Sequence, residues 1–142
     1  MAASTRSSRA RLCLARRPSA IAGWGVFALE PITKNTSVVH YAGEKISHAE
    51  SERRERRQLA RGRIWCFTVN RRWVRDASVG GNVARYINHA CRPNCYSQVR
   101  GDVIWIRAAR PIAPGEELTY DYHIDKAMGL RCRCRPACTT IL

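Results

Sequence analysis

Lysine is almost missing from this chain of 142 residues: Lys34, Lys45 and Lys126 are the only three among 25 basic residues, which leaves 22 arginines. Acidic residues are also few, 11 in all with none before Glu30, and the formal net charge is +14. A field built from guanidinium groups suits phosphates, carboxylates and aromatic faces, and at low salt it attracts nucleic acid or acidic surfaces. Coding bias in a GC-rich genome would produce the same excess, and composition does not separate the two. Long apolar runs are lacking: nothing approaches the roughly 18 residues of a membrane span, and the N-terminus has no continuous apolar core of a secretory signal. An intracellular protein is expected. With 45% hydrophobic residues, nine glycines and six prolines, the chain is neither collagen-like nor disordered. Its length suits one domain of roughly 100 to 200 residues, large enough to build a core without disulfides.

The first 29 residues carry arginines among serines and alanines, the composition of an organelle transit peptide. Against that, Leu12, Leu14 and the turn Gly23-Trp24-Gly25 read as the start of a fold, which confines a basic, disordered arm to residues 1–10. Short runs rich in β-branched and aromatic residues follow: Arg11 to Ala15, Val26 to Ala28, Ser37 to Tyr41, Ile64 to Val69, Trp73 to Arg75, Cys95 to Arg100 and Val103 to Arg107. Turn residues such as Asn70-Arg71 and Gly101-Asp102 separate them, so the domain reads as mainly β. Ser47 with Glu50 forms a capping box, and Glu50/Arg54 and Glu52/Arg56 stand at i,i+4 spacing, predicting one solvated helix to Ala60. Its arginines fit an exposed face better than a nucleic-acid reader. There is no internal repeat and no long linker.

Four segments concentrate chemistry. Gly23-Trp24-Gly25 is either a tight turn or a place where backbone amides and a flat indole meet a ligand. Asn88-His89, followed by Cys91-Arg92-Pro93-Asn94, packs an amide, an imidazole and a thiol into one turn, either to satisfy buried backbone groups or to bind something. His89 has no Ser or Asp arranged for a triad and Cys91 no thiol-protease signature, so hydrolysis is disfavoured. Gly115 to Tyr122 is the third segment. The fourth is the cluster Cys132, Cys134 and Cys138, which with one distant thiol would complete a four-thiolate zinc site. Cys91 is the first choice for that fourth ligand and Cys95 the second. Disulfides would need an oxidising compartment and would leave one of seven cysteines unpaired.

In this order, the segments resemble the SET-domain family of protein lysine methyltransferases, most closely its trithorax-like members with a post-SET zinc tail. Gly23 to Phe27 resembles the first cofactor motif, Tyr41-Ala42-Gly43-Glu44 the second strand, and Arg85 to Asn94 the Arg-Phe-x-Asn-His-Ser-Cys-x-Pro-Asn signature. Gly115 to Tyr122 matches Gly-Glu-Glu-Leu-Thr-Tyr-Asp-Tyr residue for residue. The resemblance implies small curved β-sheets around a C-terminal pseudoknot made by residues 85–94 and 115–122, a topology that strand patterns do not yield. It divides the chain into a SET domain over residues 11–126 and a post-SET tail over 127–142.

It also implies a methyltransferase that uses S-adenosyl-L-methionine as methyl donor. That donor would lie against Gly23, Trp24, Gly25, Tyr41, Arg85, Asn88 and His89. A substrate lysine would enter from the opposite face through a channel lined by Trp65, Tyr120 and Tyr122, with Tyr122 as the catalytic tyrosine and Tyr120 limiting the number of methyl groups, here to one. Structural Zn2+ would sit on Cys91, Cys132, Cys134 and Cys138. The substrates implied are histones or histone-like, DNA-associated proteins, in the nucleus of a eukaryote or the cytoplasm or nucleoid of a bacterium. Three departures from the family pattern stand out: Ala90 in place of serine, Trp65 in place of the channel tyrosine, and three rather than four residues between Cys134 and Cys138. A non-catalytic SET-like module that binds nucleic acid or peptide through its arginines is the alternative, and failure to bind the methyl donor would single it out.

Overall fold

A computed structural model describes residues 11–123, 131–134 and 138; the expected N-terminal arm and most of the expected tail lie outside those residues. Among the described residues ten strands form four small sheets, joined by one α-helix and one 3-10 turn. Strand β1 (Leu14–Pro18) pairs antiparallel with β2 (Trp24–Ala28), and β3 (Ser37–His40) borders a meander with β8 (Cys95–Arg100) and β9 (Val103–Ala108) in the order β3-β9-β8. The third sheet orders β4 (Glu44–Ser47), β6 (Trp73–Asp76) and β5 (Cys66–Thr68) as β4-β6-β5. The fourth is two residues wide: β7 (Asn88–His89) runs parallel to β10 (Thr119–Tyr120).

The chain is mainly β, as its patterning predicts. The first strand, however, starts three residues later than the apolar run. Ser19 fixes this end: its N–H donates to Gly23 O at 2.8 Å and its Oγ accepts from Ile21 N at 3.0 Å, so the strand must reach Pro18 before the chain turns. Strands β4, β7 and β10 carry no periodic signal. In β4 only Ile46 is buried, and a strand with one inward residue has no alternation to read. The core is formed by Val26, Ala28, Ile32, Ile87, Ile104, Ile106, Ile112 and Leu118, which are almost wholly buried where the sheets abut.

Helix α1 (His48–Ala60) begins where the capping signal places it, with Ser47 Oγ accepting from Glu50 N at 3.2 Å. The expectation of a solvated helix holds for its outer face only. Its inward residues are Ser51 and Gln58, not a hydrophobic stripe. Arg54 is drawn inward too: it donates to Glu44 Oε2 at 2.8 Å, Glu50 Oε1 at 3.0 Å and the fully buried Asp76 Oδ2 at 2.9 Å. Gln58 Nε2 donates to Asp76 Oδ1 at 2.9 Å. A buried charge of this kind is tolerated only with such partners. Burial raises the Asp76 carboxyl, but the bonds from Ser78, Arg54 and Gln58 outweigh it and hold it below its ordinary value. The helix is therefore fastened to β4 and β6 by polar bonds, and Gln58 Oε1, accepting from Trp65 N at 3.4 Å, ties it to the segment entering β5.

Candidate functional site

Among the described residues two adjoining cavities share four lining residues. A cleft of about 640 Å³ is lined by Gly23, Trp24, Trp65, Arg85, Tyr86, Asn88, His89 and Tyr122, and a cavity of about 440 Å³ by Tyr41, Glu55, Phe67, Tyr120 and Tyr122. Tyr122 faces both, with Leu59, Arg63 and Ile64 along the shared edge.

The cleft depends on the pairing of β7 with β10 and on Asn88. The Asn88 Nδ2 amide reaches Trp24 O and Glu117 Oε1 at 3.0 Å, and Ser19 Oγ and Ala22 O at 3.2 Å. It has two hydrogens for these four acceptors, and together they pin the β1–β2 turn onto the fold. Gly23 takes φ +42°, a conformation that side chains other than glycine rarely adopt. Gly25 has a different reason: a Cβ there would lie 2.2 Å from Glu117 Oε1, so the glycine makes room for this carboxylate. Gly25 is buried and lies behind the cleft wall. Trp24 is 47% exposed and offers its indole to the cleft, with the Arg16 guanidinium stacked on it at 4.6 Å.

Five arginines, Arg61, Arg63, Arg85, Arg131 and Arg133, line the cleft without a carboxylate among its lining residues. Arg85 donates to Ala77 O at 3.1 Å and Tyr86 Oη at 2.8 Å, and its guanidinium lies 4.7 Å from the Trp65 ring centroid. The bond from Arg85, followed by one from Arg16, holds the Tyr86 phenol below its ordinary value. His89 is buried, and its Nδ1 accepts from Tyr122 N at 3.1 Å, so this imidazole is neutral with its proton on Nε2. Desolvation likewise lowers its pKa, and its 3.7 Å approach to Asp121 is not an ion pair in this state.

Tyr41 does not join Gly23, Trp24, Arg85, Asn88 and His89 in the cleft, and Trp65 does not join Tyr120 in the second cavity. Tyr41, assigned with the cofactor residues, lines the second cavity: its hydroxyl donates to Trp65 O at 2.8 Å and its ring packs against Phe67 at 5.2 Å. Trp65, assigned to the channel, faces the cleft because it lies outside the regular alternation of β5 and its indole sits between the guanidiniums of Arg63 and Arg85, each 4.7 Å away. Phe67 lines the second cavity, its ring stacked on that of Tyr120 at 5.9 Å. Phe67 was not among the expected site residues: it is the middle residue of a three-residue strand, too short for alternation to say which side it faces. Tyr86, which stands where the family signature has phenylalanine, is the other omission.

Tyr120 and Tyr122 are brought together, ring centroids 4.8 Å apart. Burial pushes both phenols well above their ordinary values, so both are neutral over the physiological range. The Tyr122 hydroxyl donates to Ile87 O, leaving only its lone pairs for a ligand. The Tyr120 hydroxyl has no hydrogen-bond partner among the described residues, although the residue is 4% exposed.

Behind His89 the sulfurs of Cys91, Cys132, Cys134 and Cys138 lie within 4.8 Å of one another, with Cys91 Sγ 3.5 Å from Cys132 Sγ and 3.7 Å from Cys138 Sγ. Four thiolates bound at ~2.3 Å in a tetrahedron would have sulfur–sulfur edges of about 3.8 Å, so the group can hold a metal ion. Burial first pushes the Cys132 thiol up to about 12. Cys95, the second choice for the fourth ligand, is buried in the core and is not a member of the group.

Residues 23–123 match the SET domain family. Curated relatives include two fungal proteins named histone-lysine N-methyltransferase, H3 lysine-4 specific: that of Debaryomyces hansenii is 41% identical over 131 residues and that of Saccharomyces cerevisiae 38% over 136, covering 84% and 87% of this chain. The chain spans only 12% of the length of either. Among solved structures, a humanized mutant of the Chaetomium thermophilum Polycomb Repressive Complex 2 bound to an inhibitor aligns with TM-score 0.70 and 36% identity, over 80% of this chain and 15% of that one. With a family match over most of its length and trithorax-like relatives at about 40% identity, the chain belongs to the SET-domain family.

Proposed function

We propose that this chain transfers a methyl group from S-adenosylmethionine to the side-chain amine of a protein lysine, with histone H3 as the substrate that the relatives' names indicate. The observation that carries this reading is Tyr122, which lines both the arginine- and tryptophan-walled cleft and the aromatic cavity. Donor and acceptor would enter from opposite sides and meet there, as in-line displacement requires. The cleft fits the donor: it combines guanidiniums for a carboxylate, flat aromatic faces for a base, and the backbone of the Gly23 turn. Bound there, the donor supplies an electrophilic methyl on a sulfonium.

The chain's own residues prepare the acceptor. Free lysine, with a reference pKa of ~10.4, is almost entirely protonated at neutral pH and has no lone pair to attack with. Tyr41, Phe67, Tyr120 and Tyr122 form an aromatic wall that desolvates the amine and so favours its neutral form. The Tyr122 oxygen, its proton committed to Ile87 O, can only accept, and it orients an amine N–H so that the nitrogen lone pair faces the cleft. Neither tyrosine acts as a base, because burial holds both protonated. The Tyr120 hydroxyl supplies a second polar contact to the amine and occupies space, which favours monomethylation.

Residues 11–126 are the catalytic domain in this reading, and 127–142 a tail that binds structural zinc through Cys132, Cys134 and Cys138 with Cys91. Four thiolates leave zinc no open position, so its role is to hold the tail against His89 and the cleft. In a eukaryotic cell the protein would act in the nucleus, where its +14 charge draws it to DNA carrying its substrate. The test is incubation with donor labelled in the methyl group and recombinant histone H3, followed by hydrolysis to amino acids. Label in methyl-lysine supports the proposal; donor binding with no label in any protein refutes it for this chain.

A further inference from the structure

The two cavities differ in charge. The cleft has five arginines and no carboxylate in its lining, whereas Glu55 is the one carboxylate lining the second cavity. In a chain this basic, carboxylates are in demand, and those of Glu44, Glu50, Asp76, Asp102 and Glu116 are each paired with an arginine or lysine. Glu30 accepts from Cys13 N, Glu117 from Ser19 and Asn88, and Asp121 from His123 N. Among the described carboxylates only Glu52 and Glu55 make neither an ion pair nor a hydrogen bond, and Glu52 is exposed and lines neither cavity.

Glu55 is half-buried on the cavity side of α1, and burial, followed by the neighbouring Glu52 charge, raises its carboxyl above the ordinary value. Such a group is held at a cost and would gain from a cation. The cations around it do not supply one. Arg54 is committed to Glu44, Glu50 and Asp76, and the Arg63 guanidinium, on the same cavity, lies over the Trp65 ring at 4.7 Å. The ring nitrogen of His48 bonds Asn70 O at 2.8 Å, and His123 at the cavity edge lies 3.7 Å from Asp121.

We infer that Glu55 is a specificity-determining residue that pairs with an arginine or lysine flanking the target lysine, so that the enzyme selects lysines with a basic neighbour. The inference rests on the lysine-methylation reading given above. Glu55 lines the same cavity as Tyr120 and Tyr122, and an extended peptide advances about 3.3 Å per residue, so the partner lies within the few positions next to the target. Glu55 thus meets a net-positive substrate with local negative charge in a molecule whose overall field repels it. It touches the flanking residue and not the reacting amine, so its effect falls on KM.

The test uses the full chain and a set of peptides with one lysine each, in which arginine, glutamine or glutamate is placed in turn at each of the flanking positions. Wild type should prefer arginine over glutamine at one position by about tenfold in kcat/KM, through KM. Glu55→Gln should reduce this preference to within about twofold while leaving kcat on the neutral peptide and donor affinity unchanged, and Glu55→Lys should shift it toward glutamate. Equal methylation of all peptides by wild type, or a preference that survives Glu55→Gln, overturns the role of Glu55 alone. Donor binding without methylation of any lysine overturns the function on which it rests.

Discussion

Replacement of Asp76 isolates the polar device that fastens α1 to the sheet wall. Asp76 is fully buried and receives one charged bond from Arg54 at 2.9 Å and neutral ones from Gln58 and Ser78 N, both at 2.9 Å. Asp76→Ala strips all three and leaves a buried polar hole. Removal of one partner of a buried pair costs about 3–5 kcal/mol, and because Arg54 keeps Glu44 and Glu50 the lower end is expected. Asp76→Asn keeps the shape and one acceptor but turns the other oxygen into a donor, and should cost about 1.5–3 kcal/mol. Against a total of roughly 5–15 kcal/mol these are large losses. Urea titration with an unchanged m-value measures them, and amide exchange over residues 48–60 should accelerate before global unfolding does. The folded carboxyl lies below its unfolded value, so its contribution is complete above the unfolded pKa and disappears as pH falls through the folded one. The wild-type advantage over Asp76→Asn should therefore be constant near neutrality and shrink in acid. A cost under about 1 kcal/mol for Asp76→Ala would show that the helix is held by something other than this network.

Two further predictions concern the site. On the proposed monomethylation, Tyr120→Phe, which removes a hydroxyl from the aromatic cavity, should extend the product spectrum, read by mass spectrometry of a lysine peptide, to di- and trimethyl-lysine; an unchanged spectrum would place that control elsewhere. On the proposed zinc site, chelation should lower the melting temperature and donor affinity together, and Cys91→Ser should reproduce the loss while Cys95→Ser, outside the thiol group, leaves metal content at the wild-type level.

How much of this was legible in the sequence varied with the kind of signal. Where local chemistry decides, the reading was direct: the Ser47 cap placed the helix start, and the turns at Asn70 and Gly101 separated the hairpins. The grouping of Cys91 with a tail some forty residues distant was one of two choices the cysteine inventory left open, since no local rule brings such thiols together. Where side chains are placed by tertiary contacts, residue order gave no guide. Trp65 lines the cleft and Tyr41 the second cavity, where guanidinium stacking holds one and a backbone carbonyl the other. Arg54 looked like one more surface arginine until Asp76, twenty-two residues on, supplied a buried partner. Strands β7 and β10 are two residues each and exist only because they pair with one another, an arrangement with no periodicity to detect.

The central claim is that donor and lysine meet at the Tyr122 hydroxyl. Its most direct test is methyl transfer to histone H3 by wild type and by Tyr122→Phe, with donor affinity measured by calorimetry on both. The account predicts equal donor affinity and a kcat about 100-fold lower in the variant, because the amine loses the acceptor that aims it. Transfer at the wild-type rate by Tyr122→Phe would contradict it.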